Sequence, residues 1–117
     1  MAFKQLLTDF LIRLEDMNHL TPLLPTYELI IKFVYEESYI FLVLSNKGSR
    51  LAAECYDSEA VTIEGTTGLE NLLDGSKKLG KLVSEGEIEI TATYRNTLLL
   101  ESVFFLCRNR DEEKMIS

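Results

Sequence analysis

Tryptophan is absent from this chain of 117 residues, and histidine occurs once, cysteine twice and proline twice. Each scarcity removes a class of chemistry. The lone His19 has no nucleophile at workable spacing, and nucleophilic catalysis needs a base beside the nucleophile. No serine sits in a Gly-x-Ser-x-Gly elbow. Cys55 and Cys107 are far apart, with no Cys-x-x-Cys and only His19 as a companion, so no metal site is expected. They read as reduced, buried cysteines that pack as small apolar residues. The six glycines follow neither the Gly-x-Gly-x-x-Gly nor the P-loop spacing, so no phosphate cradle and no cofactor are expected.

Positive charge is also scarce, with 12 Lys and Arg against 19 Asp and Glu and a net charge of −7. No basic stripe or arm exists, which argues against nucleic acid as a partner and against charge-driven adhesion to anionic membranes. The uninterrupted apolar runs are only a few residues long, too short to span a bilayer. Residues 1–20 carry a charge in every turn, which leaves no room for a secretory apolar segment, and Met115-Ile116-Ser117 matches no targeting address. A cytoplasmic protein without integral membrane association is therefore expected.

What remains is enough for one domain over residues 1–117, large enough to bury a core without staples. Phe3, Leu6, Leu7, Phe10, Leu11, Leu14 and Met17 follow helical spacing, with Lys4, Asp9, Arg13 and Asp16 on the other side. That pattern predicts an amphipathic helix of about five turns ending near His19, where Thr21-Pro-Leu-Leu-Pro25 stops it. Tyr27, Leu29, Ile31, Phe33 and Tyr35 alternate with polar residues as a half-buried strand does. Glu36-Glu-Ser38 turns the chain into Tyr39–Leu44, apolar throughout and expected to be covered on both faces. Leu51, Ala53 and Cys55 predict a weaker third strand, and Ala60-Val-Thr-Ile-Glu-Gly65 a fourth.

Thr67 and Glu70 have the spacing of a capping box. Leu69, Leu72 and Leu73 form the buried edge of the helix it opens, which Asp74-Gly75 breaks. A second short helix carries Leu79, Leu82 and Val83 and ends at Gly86. Glu87–Tyr94 alternates again as a last strand, and Leu98–Leu106 predicts a helix with only Glu101 and Ser102 turned to water. A surface helix normally has one apolar stripe about 100° wide. One apolar nearly all round must be enclosed, or must offer a face to something besides its own core. The residues from Arg108 onward are nearly all charged and are expected to fray. Paired carboxylates at Glu36-Glu37, Glu87 with Glu89, and Asp111-Glu-Glu113 read as solvated surface. Lys77, Lys78 and Lys81 read as a surface cluster, with a ligand carboxylate or phosphate as the alternative. No catalytic machinery is expected.

Val61-Thr-Ile-Glu-Gly65, Leu69 to Gly75, Leu79 to Gly86 and Ser84-Glu-Gly-Glu-Ile-Glu-Ile90 together resemble the sterol carrier protein (lipid-transfer) family. Three departures from the family pattern stand out, one being that Asp74-Gly-Ser-Lys77 only roughly matches the usual turn. Ala92 replaces the glycine that usually follows the last strand, and Thr93-Tyr94-Arg95 is expected to extend that strand. The resemblance implies an α+β fold, with a five-stranded, mainly antiparallel sheet covered by helices. It also implies non-enzymatic binding or transfer of a small hydrophobic ligand (a lipid, fatty acid or acyl-CoA) in an apolar tunnel. The faces that would converge on that tunnel carry Leu69, Leu72, Leu73, Leu82, Ile88, Ile90, Leu99, Val103 and Phe104. On the last helix, Phe104 shares a stripe with Leu100 and Val103, so Phe104 rather than Phe105 is expected to face inward. The alternative reading is an interaction module in which that helix builds a homodimer or docks another protein.

Overall fold

The computed structural model describes residues 3–54 and 61–108. Cys55, the Ala60 start of the fourth strand, and the charged residues 109–117 lie outside the described residues. The first helix, α1 (Phe3–Asp16), buries Leu7, Phe10 and Leu14, which recur every three or four residues and form one apolar stripe. It is shorter than its periodicity suggests. Met17 leaves the helical basin at φ −106°, ψ 65°, and the chain tightens into a 3-10 turn, Asn18–Leu23, that contains Pro22. His19 therefore sits exposed in that turn rather than in the last turn of α1.

Five strands form one sheet: β1 (Leu29–Tyr35), β2 (Ser38–Leu44), β3 (Arg50–Ala52), β4 (Val61–Gly65) and β5 (Ile88–Thr91), in the order β3-β2-β1-β4-β5. Three pairings are antiparallel and only β1 with β4 is parallel, so the sheet is mainly antiparallel as expected. The register sets Leu29 opposite Leu44, Ile31 between Leu42 and Val61, and Phe33 between Ile40 and Ile63. Alternation then puts all of these side chains on one face. The opposite face carries a smaller cluster of Ile30, Phe41 and Val43. Tyr39–Leu44 is not covered throughout. Phe41 to Leu44 are buried, but Tyr39 is 54% exposed because β3 pairs only with Phe41–Val43 and leaves the hairpin tip open.

Three helices complete the covered face: α2 (Thr67–Asp74), α3 (Leu79–Ser84) and α4 (Tyr94–Leu106). The capping box at Thr67 and Glu70 does not form. Thr66 is the residue at the helix start, no side-chain oxygen caps it, and the Glu70 carboxylate accepts a hydrogen bond from the Tyr35 hydroxyl instead. The last strand is also shorter than its alternation suggests, and α4 begins one turn earlier than Leu98. The reason is local. The Thr93 hydroxyl accepts the Asn96 backbone N–H at 3.1 Å, which caps a helix where an extended strand was expected.

Two close approaches hold α2 in place. A side chain at Gly68 would put its Cβ 2.5 Å from the Glu87 carbonyl oxygen, so the first turn of α2 lies directly on the strand entry. Gly75 ends the helix at φ +82°, and a Cβ there would come within 2.0 Å of Arg108 Cβ. The beginning of α2 is thus laid on the sheet and its end on the end of α4.

Candidate functional site

The nine residues singled out from the sequence are gathered into one cluster between the helices and the sheet. Leu69, Leu72, Leu73, Leu82, Ile88, Val103 and Phe104 are each 3% exposed or less. Ile90 and Leu99 are half-buried and pack against the same cluster. The rotation of α4 agrees with the expected stripe. Leu100, Val103 and Phe104 face in, while Phe105 stays 38% exposed between Lys78 Nζ (4.7 Å) and the Arg108 guanidinium (4.2 Å). Glu101 is half-buried rather than turned to water, and its carboxylate accepts the Gly80 N–H at 2.9 Å.

Several neighbours of this site were not among those nine. Phe104 meets Phe10 at 5.2 Å between ring centroids and Phe33 at 6.3 Å. Phe33 meets Phe3 edge-on at 5.8 Å, and Phe3 lies flat on Tyr35 at 4.8 Å with 7° between the planes. A column of ring contacts therefore runs from the hairpin end of the sheet into the middle of the core. Its β1 members were visible as the alternation of Phe33 and Tyr35, but nothing local pointed to their stacking on α1.

At the outer end of this column lies a cleft of about 400 Å³ between the first turn of α1 and the β1–β2 hairpin. A second, more polar cleft of about 370 Å³ lies near the far end of α1 and includes Ser45, Asn46 and Ser49. The Asn46 Oδ1 atom is buried there without a hydrogen-bond partner.

Polar chemistry near the core is sparse. The hydrogen bond to Glu70 pushes the Tyr35 hydroxyl above its ordinary pKa, with burial and the Glu70 and Glu36 charges acting in the same direction. Tyr35 is therefore held as a neutral donor. Lys77 is not free to meet an anion, because it pairs with Glu87 at 2.7 Å and Glu85 at 3.6 Å. Arg13 reaches across the helices and donates to the Cys107 carbonyl at 2.7 Å and the Leu73 carbonyl at 2.5 Å. Cys107 is fully buried. Among the described residues no group of His, Cys, Asp and Glu could hold a metal ion, and no helix is long and apolar enough to cross a membrane.

Neither a protein-family profile nor a curated protein matches the sequence. Solved structures do match the fold. The ubiquinone synthesis protein UbiJ-SCP2 superposes with a TM-score of 0.66 at 19% identity, covering 89% of this chain and 90% of that one. Palmitated SCP2L2 from Aedes aegypti superposes at 0.65 with 12% identity, covering 89% and 95%. A stereoselective inverting sec-alkylsulfatase, Pisa1 from Pseudomonas sp., reaches 0.59 at 17% identity, covering 75% of this chain but only 14% of the enzyme. The whole-chain matches are to sterol carrier protein domains, so this chain has the sterol carrier protein fold, with its five-stranded mixed sheet and helices on one face.

Proposed function

We propose that this protein is a non-enzymatic, cytoplasmic carrier of a small hydrophobic ligand of the lipid class. The ligand is held between sheet and helices by Leu69, Leu72, Leu73, Leu82, Ile88, Ile90, Leu99, Val103 and Phe104. The observation that carries this reading is the match, over 89% of this chain and at least 90% of the other, to sterol carrier protein structures, one of them described as palmitated. The sulfatase match does not favour an enzyme, because it leaves 86% of that protein without a counterpart. The residues offered for binding are apolar and closely packed, so an apolar ligand would enter by parting the helices from the sheet. Burial of its chain supplies the driving force, about 25 cal/mol per Å² of apolar surface.

A second reading rests on the outer face of α4, where Tyr94 (78% exposed), Leu98 (47%) and Phe105 (38%) follow one another at helical spacing. In that reading the helix is a dimer seam. Native mass spectrometry of freshly purified protein separates the two. A lipid retained on a monomer supports the carrier, and a ligand-free dimer supports the seam.

A further inference from the structure

The cleft at the hairpin end lets the carrier reading be taken to a ligand type. Its apolar walls are Phe3, Tyr35, Tyr39 and Ile40, and its charged groups are Lys4 and Glu36. At about 400 Å³ it lies in the lower part of the range typical of small-molecule sites. Phe3 forms the inner boundary, stacked on Tyr35 and in edge contact with Phe33, which in turn reaches Phe104. Phe3 also sits in the first turn of α1, where backbone N–H groups have no helical acceptor. Moving that one ring would join the open cleft to the buried cluster.

The charges around the cleft discriminate between head groups. One ammonium, Lys4, shares it with the Glu36 carboxylate, while the Glu70 carboxylate lies directly behind Tyr35, bonded to its hydroxyl. The Tyr35 oxygen has given its proton to that bond and still carries lone pairs that can accept another. A ligand hydroxyl suits this arrangement, since it can donate to Tyr35 or Glu36 and accept from Lys4. A ligand carboxylate would bring a third negative charge to a cleft whose lining holds one cation, Lys4, the other nearby ammonium, Lys32, being engaged on the Tyr39 ring at 4.8 Å.

Resting on the carrier reading, we propose that this cleft is the entry and head-group subsite for an uncharged single-chain amphiphile with a hydroxyl head, its chain directed past Phe33 towards Phe104 and the Phe3 ring acting as the movable closure.

The chain lacks tryptophan, so Phe3→Trp provides a single fluorescent reporter at the closure. The experiment titrates this variant with dodecanol and with dodecanoate at about pH 8, where the acid is ionised. Native mass spectrometry counts ligand bound to the unaltered protein. Dodecanol should bind and shift the tryptophan emission saturably, and dodecanoate should bind about five- to tenfold more weakly through like-charge repulsion. Glu70→Gln or Glu36→Gln should narrow that gap to about twofold. If Phe3→Trp fails to fold, Tyr39→Trp on the exposed side of the cleft serves as the reporter. Ligand counted on the protein while the tryptophan emission stays still would overturn the proposal, as would dodecanoate binding as tightly as dodecanol. Either outcome leaves the carrier reading standing. Binding of neither ligand to the unaltered protein would sink the carrier reading and the proposal with it.

Discussion

Replacing Arg13 with methionine should destabilise the fold far more than an ordinary substitution on the polar side of a helix. Arg13 flanks the apolar stripe of α1, three residues after Phe10, and its guanidinium spans two other helices. Nε donates to the Cys107 carbonyl just past the end of α4, and Nη2 donates to the Leu73 carbonyl in the last turn of α2. Both acceptors lie at helix C-termini, where carbonyls lack intrahelical donors and the backbone dipole favours a cation. A hydrogen bond to a charged group contributes about 1.5–3 kcal/mol when dry. Arg13 is half-buried, so solvent screening lowers the combined loss to about 2–3 kcal/mol. Methionine keeps most of the apolar stem, so little of that loss comes from packing. For a domain of this size the thermal midpoint should fall by about 10 °C.

Urea unfolding followed by far-ultraviolet circular dichroism gives the free energy directly, with the slope unchanged if only the native clasp is lost. Lysine carries the charge without the planar pair of donors, so Arg13→Lys should recover less than half of the loss. A methionine variant within about 0.5 kcal/mol of the unaltered protein would refute the clasp, because surface substitutions ordinarily fall in that range. Full recovery by lysine would show that charge alone mattered.

Phe104→Ala should cost about 3–5 kcal/mol in the ligand-free protein, because the ring is 2% exposed and touches Phe10 and Phe33. A loss under about 1.5 kcal/mol in the same urea measurement would mean that the site is already partly empty. The Lys77–Glu87 pair sets an acid dependence. The Lys77 hydrogen bond holds the Glu87 carboxyl below its ordinary 4.5, so the contribution of Glu87 is present above that pH and is lost as pH falls through the lowered value. Lys77, in turn, is held above its ordinary 10.5 and keeps its charge through neutral pH. Lys77→Met should therefore flatten the acid arm of stability below about pH 4.5, and parallel acid arms for the two proteins would contradict the pairing.

The sequence pattern and the structure agree wherever a single buried face dictates the order of residues. The stripe Leu7, Phe10 and Leu14, the alternation Leu29, Ile31 and Phe33, and the inward turn of Phe104 all follow from one core that every element must face. Agreement ends where a partner distant in sequence captures a group that local rules assign elsewhere. Glu70 suits a capping box, but Tyr35, 35 residues earlier, takes its carboxylate. Arg13 looks like a solvated face of its helix, but its acceptors lie 60 and 94 residues further on. The start of α4 was missed for the opposite reason. Its cap is wholly local, but the alternation of the preceding strand ran through Thr93 and hid it.

The candidate site is legible in one respect only. Nine apolar residues are assigned to a common interior by their spacing together with the resemblance to sterol carrier proteins, yet the same nine would build a permanently closed core. What separates a carrier from a plain core is the work of parting helices from sheet, and apolar side chains resist that parting in proportion to the area they would expose. The decisive groups are therefore those that fasten the covering helices. Arg13 ties α1 to the ends of α2 and α4, Gly68 lays α2 on the entry to β5, and Gly75 seats its end on Arg108. The Arg13 and Gly75 fastenings lie at the far ends of α2 and α4, whereas Gly68 and the Tyr35–Glu70 hydrogen bond hold the start of α2 at the hairpin end. The Phe3 ring, in the first turn of α1, is held there by ring contacts, stacked on Tyr35 and edge-on to Phe33. Aromatic pairs of that kind contribute about 0.5–1.5 kcal/mol each beyond area burial, so within the covering layer the Phe3 turn of α1 should lift before its last turn, which the Arg13 clasp holds.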